Sequence, residues 1–499
     1  YTPLYTLSLH DALPILASPR KIDQSIEDTA FIVTEVNRFL AMDMRAVMKH
    51  TRDHPEDMFA TLPHPKGGHL YCGRRAFDRF QDIAERALTR DTREKRDFDP
   101  DEYLGALRSA LGAVFLVGRV PVNESNVSRM LSRAAALASK TLVHVTHHIP
   151  CVIFHETEPL RFSVGPVAFA SAASFLAEKR EALEQYEAVN REAYLVARRK
   201  QKPETSEVEA KREATTFSAK YIDGIRQYYR QHYWVASVEI PPCHSSLSLL
   251  RAERTIDGAL DVLRLFVPTS FAHYRRATAP GTPFDTRELM TTQSGTLVSS
   301  GRWGARGGTP GTGWYGVITK HAARQWSLFE AAIASLATGE KIDELAQRLQ
   351  DALHWFGQGV VEPNSAAAVV KYTAALERLT ITGHVDGLEA LVVKRTTALR
   401  RSLTSKVHST LVRDLGYLYQ LRSDLMHGSK SPYDADVEKA RKVGWESARQ
   451  SLLTAAEIFA GLRSAGEANR KALARAYDDV TRDAAGPVHA AVPAPDPAD

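Results

Sequence analysis

The sequence predicts a mainly α protein, with an α+β N-terminal portion followed by an all-α C-terminal helical bundle. Three observations carry this. Apolar residues recur at helical spacing through most of the chain. β-branched and aromatic residues gather into strand-like runs only between residues 141 and 170 and in VASVEI, residues 235–240. From residue 320 to Arg463 the helical period is nearly unbroken.

At 499 residues, 44% hydrophobic and 25% charged, the composition is that of a globular protein. The length suits two or three domains of about 100–200 residues each. A formal net charge of +5 permits nucleic-acid contact without arguing for it. Cys72, Cys151 and Cys243 lie far apart, which excludes a disulfide framework and a CxxC site and predicts a reducing, cytoplasmic location. No stretch is apolar enough for a membrane span.

The chain opens YTPLYTLSLHDALPIL, with no basic residue before Arg20 and an apolar run broken by His10 and Asp11. That is not the pattern of a secretory signal. Residues 5–15 resemble the translation of a common short-read sequencing adapter, so residues 1–16 are expected to be an assembly artefact. Residues 17–170 read as mostly helical with short strands. Within them, residues 26–50 form one helical pattern ended by DHPEDM, and DPDEYLGALRSALGAVFLV begins with the acidic first turn of a helix. The strands between 141 and 170 are expected to break at Pro150 and Pro159. Residues 171–274 read as a helical hairpin interrupted at QKPETSE, then a strand and a helix. Residues 275–319, rich in Gly, Thr and Arg, read as a loop or linker. Residues 320–465 form the bundle, and 466–499 a disordered tail.

Three stretches are candidates for chemistry. GRWGARGGTPGTGWYG, residues 301–316, lacks the Gly-Lys-Ser/Thr of a phosphate loop and the βαβ setting of a dinucleotide site. Arg302, Trp303, Arg306 and Trp314 could grip single-stranded nucleic acid, but a flexible loop is the better reading. His144, His147, His148, Cys151 and His155 cluster tightly, yet strand alternation would send neighbouring ligands to opposite faces, and no metal or cofactor is expected.

The third stretch is RSDLMHG, residues 422–428. Leu411, Leu415, Leu418, Arg422 and Leu425 follow at steps of 4, 3, 4 and 3, so Arg422 takes a place in an apolar seam. Gly428 is a natural helix C-cap. An Arg can hold phosphate oxygens while a His moves the proton of an RNA 2′-hydroxyl, which is phosphodiester chemistry without metal. Five residues on one helix set two side chains about 140° apart, which two copies facing across a two-fold axis would relieve. Arg45 and His50 repeat the spacing in an ordinary amphipathic pattern and read as a decoy.

LYQLRSDLMHG, residues 418–428, resembles the signature of HEPN domains of the Apea-like branch. Tyr419, Arg422, Ser423, His427 and Gly428 match it position by position. LHWFGQG (353–359) and AALERLT (374–380), with Glu377, resemble the earlier helices of that family, and the run from Asp434 to Leu462 its closing helix. The resemblance covers residues 320–465. It implies a helical bundle that forms a homodimer and, in catalytic relatives, a metal-independent ribonuclease site at the dimer cleft, often in toxin or antiviral defence. Arg422 would bind the scissile phosphate of RNA and His427 would be general acid and base. Ser423 stands where many relatives carry Asn, and Asp424 is a further polar candidate. Other members serve as RNA-binding, nucleotide-binding or dimerisation modules. In that alternative Arg422 pairs with Asp424 or Glu377 and fixes the register of the bundle.

Overall fold

The structure, a computed structural model, describes residues 19–55, 57, 60–63, 68–88, 97–153, 159–267, 275–276, 286–291, 297–302, 313–383, 387–403 and 410–485. Among them seventeen α-helices and nine short strands occur, so the protein is mainly α with a few strands. The chain divides into two compact units, Tyr1–Val145 with Ile240–Arg251, and Thr146–Glu239 with Ala252–Asp499.

In the first unit the pattern predicted as one helix over 26–50 is two, α1 (Pro19–Leu40) and α2 (Met44–Asp53). Asp43 makes the break: its carboxylate accepts the Ala46 N–H at 2.7 Å and starts the second helix. A hairpin of β1 (Ala60–Pro63) and β2 (His69–Cys72) leads to α3 (Arg74–Leu88). Asp99 then caps α4 (Pro100–Leu111) through the N–H groups of Asp101 and Glu102, and the helix continues as a π turn over Gly112–Val117. α5 (Glu124–Ser139) completes the unit, whose core gathers Ile32, Val36, Phe80, Tyr103, Leu107 and Met130. The returning segment 240–251 is tied in by the Asp99 N–H donating to His244 Nδ1 at 2.6 Å and by Arg251 donating to Asp97 at 3.2 Å.

The second unit holds most of a five-stranded sheet and the helical bundle. The sheet uses β3 (Val143–Val152), β4 (Arg161–Val164), β5 (Val167–Ser171), β6 (Trp234–Cys243) and β7 (Arg275–Arg276) in the order β4-β5-β6-β3-β7. Pro150 lies inside β3 and does not end it, since one missing N–H costs a strand only where the ladder needs that donor. After α6 (Ala172–Glu178) come the two long helices of the predicted hairpin, α7 (Arg180–Gln201) and α8 (Glu207–Gln231). Their contact buries Leu195, Ala210 and Ala214 beside a two-pronged Arg198–Glu213 ion pair. α9 (Ser245–Phe266) belongs to this unit from Ala252 onward. The stretch over 275–319 expected as a loop or linker contains regular elements among its described residues. β8 (Thr286–Thr291) and β9 (Leu297–Arg302) form an antiparallel hairpin, and α10 begins at Trp314. Both strands are short and poor in large apolar residues, which hides them from a reading based on hydrophobic runs.

α10 (Trp314–His321), α11 (Ala323–Thr338), α12 (Glu344–Val360), α13 (Ser365–Thr380), α14 (Leu388–Leu403), α15 (Leu411–Met426), α16 (Ala435–Ser464) and α17 (Arg470–Ala485) form the bundle. α16 is its axis and packs against α11, α12, α13, α14, α15 and α17. It can do so because its inward face is small: Ala440, Gly444, Ser447, Ala448, Ser451, Ala455 and Ala456 are all buried. α17 corrects the expected tail. Residues 470–485 are helical, with Leu473 and Tyr477 buried and the Tyr477 hydroxyl donating to the Leu379 carbonyl at 2.7 Å. Their charge masks a single apolar stripe. Residues 486–499 of the expected tail lie outside the described residues.

Tyr372 on α13 packs closely against two glycines of neighbouring helices. A Cβ at residue 359 would come within 2.5 Å of its ring, and a Cβ at 444 within 3.2 Å. Gly461 lies on the same helix as Gly444, and a Cβ there would meet nothing within 4 Å. Gly359→Ala is therefore expected to destabilise the protein by about 1–3 kcal/mol in denaturant unfolding, because Tyr372 is fully enclosed. Gly461→Ala should stabilise it by about 0.5–1 kcal/mol, the helix-propensity gain alone.

Candidate functional site

α15 is built as the seam predicts through its first three turns. Leu411, Leu415 and Leu418 face inward, and Tyr419 and Leu421 flank them in the core. On an ideal helix Arg422 points within about 20° of Leu411, so it does lie on the seam. It is not sealed there. From residue 422 the helix emerges from its neighbours, Leu425 is only half-buried, and Met426 and His427 are exposed. Arg422 thus stands where the apolar face leaves the core, with its side chain 34% exposed.

One carboxylate organises its surroundings. Glu377 of α13 accepts a short hydrogen bond from the Tyr419 hydroxyl. The Arg422 guanidinium lies 3.9 Å from the same oxygen, a loose ion pair. Burial first, and the Glu377 charge second, push the Tyr419 phenol well above its ordinary pKa, so it remains a donor. Asp424 is drawn away from this group: its side chain accepts from Gln420 at 2.9 Å. Of the two acidic partners considered for Arg422, the neighbour is Glu377.

His427 is the C-cap, and its N–H still bonds the Ser423 carbonyl at 3.0 Å. The last turn therefore stays helical and does not swing His427 toward Arg422. Gly428, at φ +73°, ends the helix, with the Ser429 N–H on the Asp424 carbonyl at 2.8 Å and its own N–H on that of Leu425 at 3.3 Å. This is a Schellman closure, and it explains why glycine stands there. Among the described residues the His427 ring takes part in no hydrogen bond or ion pair. One chain thus brings together Tyr419, Glu377 and Arg422, and holds His427 apart on the exposed cap.

The other candidates fall elsewhere. His50 bonds Asp57 at 2.9 Å and fastens α2 to the following turn, while Arg45 is exposed. His148 donates to or accepts from Ser237 at 2.7 Å, and His144 is exposed on β3; His155 lies outside the described residues. Among the described residues no three His, Cys, Asp or Glu side chains are placed to hold a metal ion. Trp314 is not a surface stacking residue: it is buried at the start of α10 against Phe162, ring centres 5.2 Å apart. Trp303 and Arg306 lie outside the described residues. No described helix is long and apolar enough to cross a membrane.

A second polar centre carries no sequence motif. Asp261 on α9 is 1% exposed and shares a short bond with Arg264, itself 4% exposed. It fits only because residue 357 is glycine; a Cβ there would overlap its carboxylate. Burial, against the pull of Arg264 and with the push of Asp257, raises the Asp261 carboxyl from 3.8 to about 8. The signal that could have revealed it is a polar residue in the otherwise apolar run ALDVLRLF, a place where a core residue is expected.

No protein-family model matches the chain, and no curated protein or solved structure is detectably similar to it.

Two outcomes follow from this geometry. Gly428→Ala should lower stability by about 1 kcal/mol or more in thermal or denaturant unfolding, because a Cβ is strained at φ +73°. Asp261 holds its proton longer in the folded state than in the unfolded chain. Its contribution to stability is thus greatest below about pH 4 and declines as the pH rises to about 8. Asp261→Asn lacks that proton, so its stability relative to wild type should climb between pH 4 and 8 by an amount on the order of a few kcal/mol in unfolding midpoints.

Proposed function

We propose that the C-terminal bundle is a metal-independent endoribonuclease of the HEPN type, working as a homodimer on RNA. The observation that carries this reading is the end of α15. Arg422 is still a third exposed where the apolar seam runs out, and His427, five residues on, is exposed with its ring unengaged among the described residues. Because the last turn stays helical, Arg422 and His427 of one chain diverge by about 140°. A single copy cannot aim both at one phosphate. A two-fold pairing of α15 ends can combine the Arg422 of one copy with the His427 of the other, since a symmetric interface repeats the same patch twice.

In that arrangement the two Arg422 guanidiniums hold the non-bridging phosphate oxygens as charge grows on them. One His427 takes the proton of the 2′-hydroxyl, the 2′-oxygen attacks phosphorus, and the bond to the 5′-oxygen breaks. A second imidazolium gives that oxygen its proton. The products are a 2′,3′-cyclic phosphate and a 5′-hydroxyl, and no metal ion enters the balance. Tyr419 and Glu377 position Arg422. Defence against foreign genetic elements is the context in which such regulated cleavage would serve.

The nearness of Glu377 favours a second reading, in which Arg422 fixes the bundle and the protein is a binding or dimerisation module. Cleavage of an RNA panel in EDTA separates the two. For the nuclease, the chain without residues 1–16 cleaves, leaves cyclic phosphate ends, and loses activity by about 100-fold or more in His427→Ala and Arg422→Ala, both of which stay folded and dimeric. For the module, a folded dimer leaves RNA intact and Arg422→Ala chiefly lowers the melting temperature. Cleavage surviving in both variants would remove α15 from the site.

A further inference from the structure

Behind Asp261 lies a cavity of about 250 Å³ between α9, α11 and α12. Asp257 and Asp261 reach it from α9, Asp351 and His354 from α12, while α11 contributes the apolar wall of Ile333 and Leu336. The acidic groups are unequally served. Asp351 is held on both oxygens, by Arg378 at 2.7 Å and Gln347 at 2.7 Å. Asp261 gives Oδ1 to Arg264, but its Oδ2 is buried without a hydrogen-bond partner. His354 Nδ1 stops 3.9 Å short of that oxygen, and its ring sits at the mouth, 58% exposed. A buried polar atom left without a partner is costly, so a group that completes it binds correspondingly more tightly.

We propose that this cavity is a binding site for a small organic cation, an ammonium or amidinium group on a compact apolar body. The charged N–H end reaches Asp261 Oδ2 beside Asp257, the apolar body lies on Ile333 and Leu336, and His354 turns outward to admit it. Three features select this class. The open atom is an acceptor at the floor, the facing wall is aliphatic, and the described residues offer no three-ligand set for a metal ion. Arg254 also lines the cavity from α9, which disfavours a bulky or doubly charged cation. The site is independent of the ribonuclease reading, because it shares no residue with α15.

Binding should carry a proton signature. Arg254, Asp257 and Arg264 on α9 and Asp351 and His354 on α12 are the charged or titratable groups around Asp261, and α11 presents none to the cavity. Since the Asp261 carboxyl titrates near 8 and a cation needs it ionised, binding releases a proton. The test is calorimetric titration of the full chain with benzamidine and with benzamide, its uncharged counterpart of similar shape. Benzamidine is expected to bind at one site at least about tenfold tighter than benzamide at pH 8. Its affinity should rise about tenfold from pH 6 to 7 and level off above about 8. Asp261→Asn should weaken it about tenfold or more and flatten the pH profile, while His354→Ala, which leaves the floor intact and unblocks the mouth, should bind at least as tightly as wild type. Equal affinity for benzamide would make this an apolar void, and no binding of either probe, or unchanged binding in a folded Asp261→Asn variant, would overturn the site.

Discussion

The bundle depends on how near α16 can come to its neighbours. A helix that packs against six others gains from small residues on its inward side, and α16 supplies alanine, serine and one glycine between the larger Val437, Leu452 and Phe459. Tyr372 takes up the space so created, wedged between Gly359 and Gly444. Interiors are packed close to the density of organic crystals, so a large ring and two missing side chains are one design seen from opposite sides. The positions of the helices around Tyr372 rest on that fit. It sets the distance from α13 to α16, therefore where Glu377 stands, and therefore what faces Arg422 when α15 leaves the core.

The second constraint is polar. α13 ends at Thr380, which is buried, and its last carbonyls lack helical partners. Two buried arginines serve them: Arg348 donates to the carbonyls of Arg378 and Ile381, and Arg395 donates to that of Thr380 at 2.6 Å. Charge-assisted bonds to orphan carbonyls at a helix C-terminus also complement its dipole. Arg422 looks similar in sequence, an Arg at an apolar position, but has a different fate. Arg348 and Arg395 are enclosed and bond backbone carbonyls, whereas Arg422 is a third exposed and among the described residues has a loose ion pair with Glu377. That contrast separates a structural arginine from one available to a ligand better than its place on the seam does.

These cases show what the sequence could and could not tell. Apolar period marked which stretches are helical, and the seam through Leu411, Leu415 and Leu418 located the inward face of α15. They could not say where along its length that face leaves the core, because exit is set by neighbouring helices distant in sequence. The break at Asp43 and the strands over 286–302 were missed for a local reason: each depends on a short polar or Gly-rich stretch with no apolar period to read. α17 was missed because its charges outnumber its buried residues. Asp261 left only a weak trace, a charge inside an apolar run, since an acidic residue at helical spacing looks like a solvated one until the structure places Gly357 against it.

Gly357 and Gly359 link the close core to the buried carboxylate. They stand two residues apart on α12, so they open nearly opposite faces, about 200° around the helix. One admits the Tyr372 ring and thereby the close core. The other admits the Asp261 carboxylate and thereby the floor of the cavity. A single turn therefore sets both the close packing around Tyr372 and the position of a buried carboxylate oxygen without a hydrogen-bond partner. Packing alone does not require the second: an apolar residue at 261 beside a larger one at 357 would fill the same volume without desolvating an acid. An acid kept where burial disfavours its charge, against a glycine that serves no turn, is a local conflict of the kind that marks function, and the open Oδ2 shows the direction from which a partner would come.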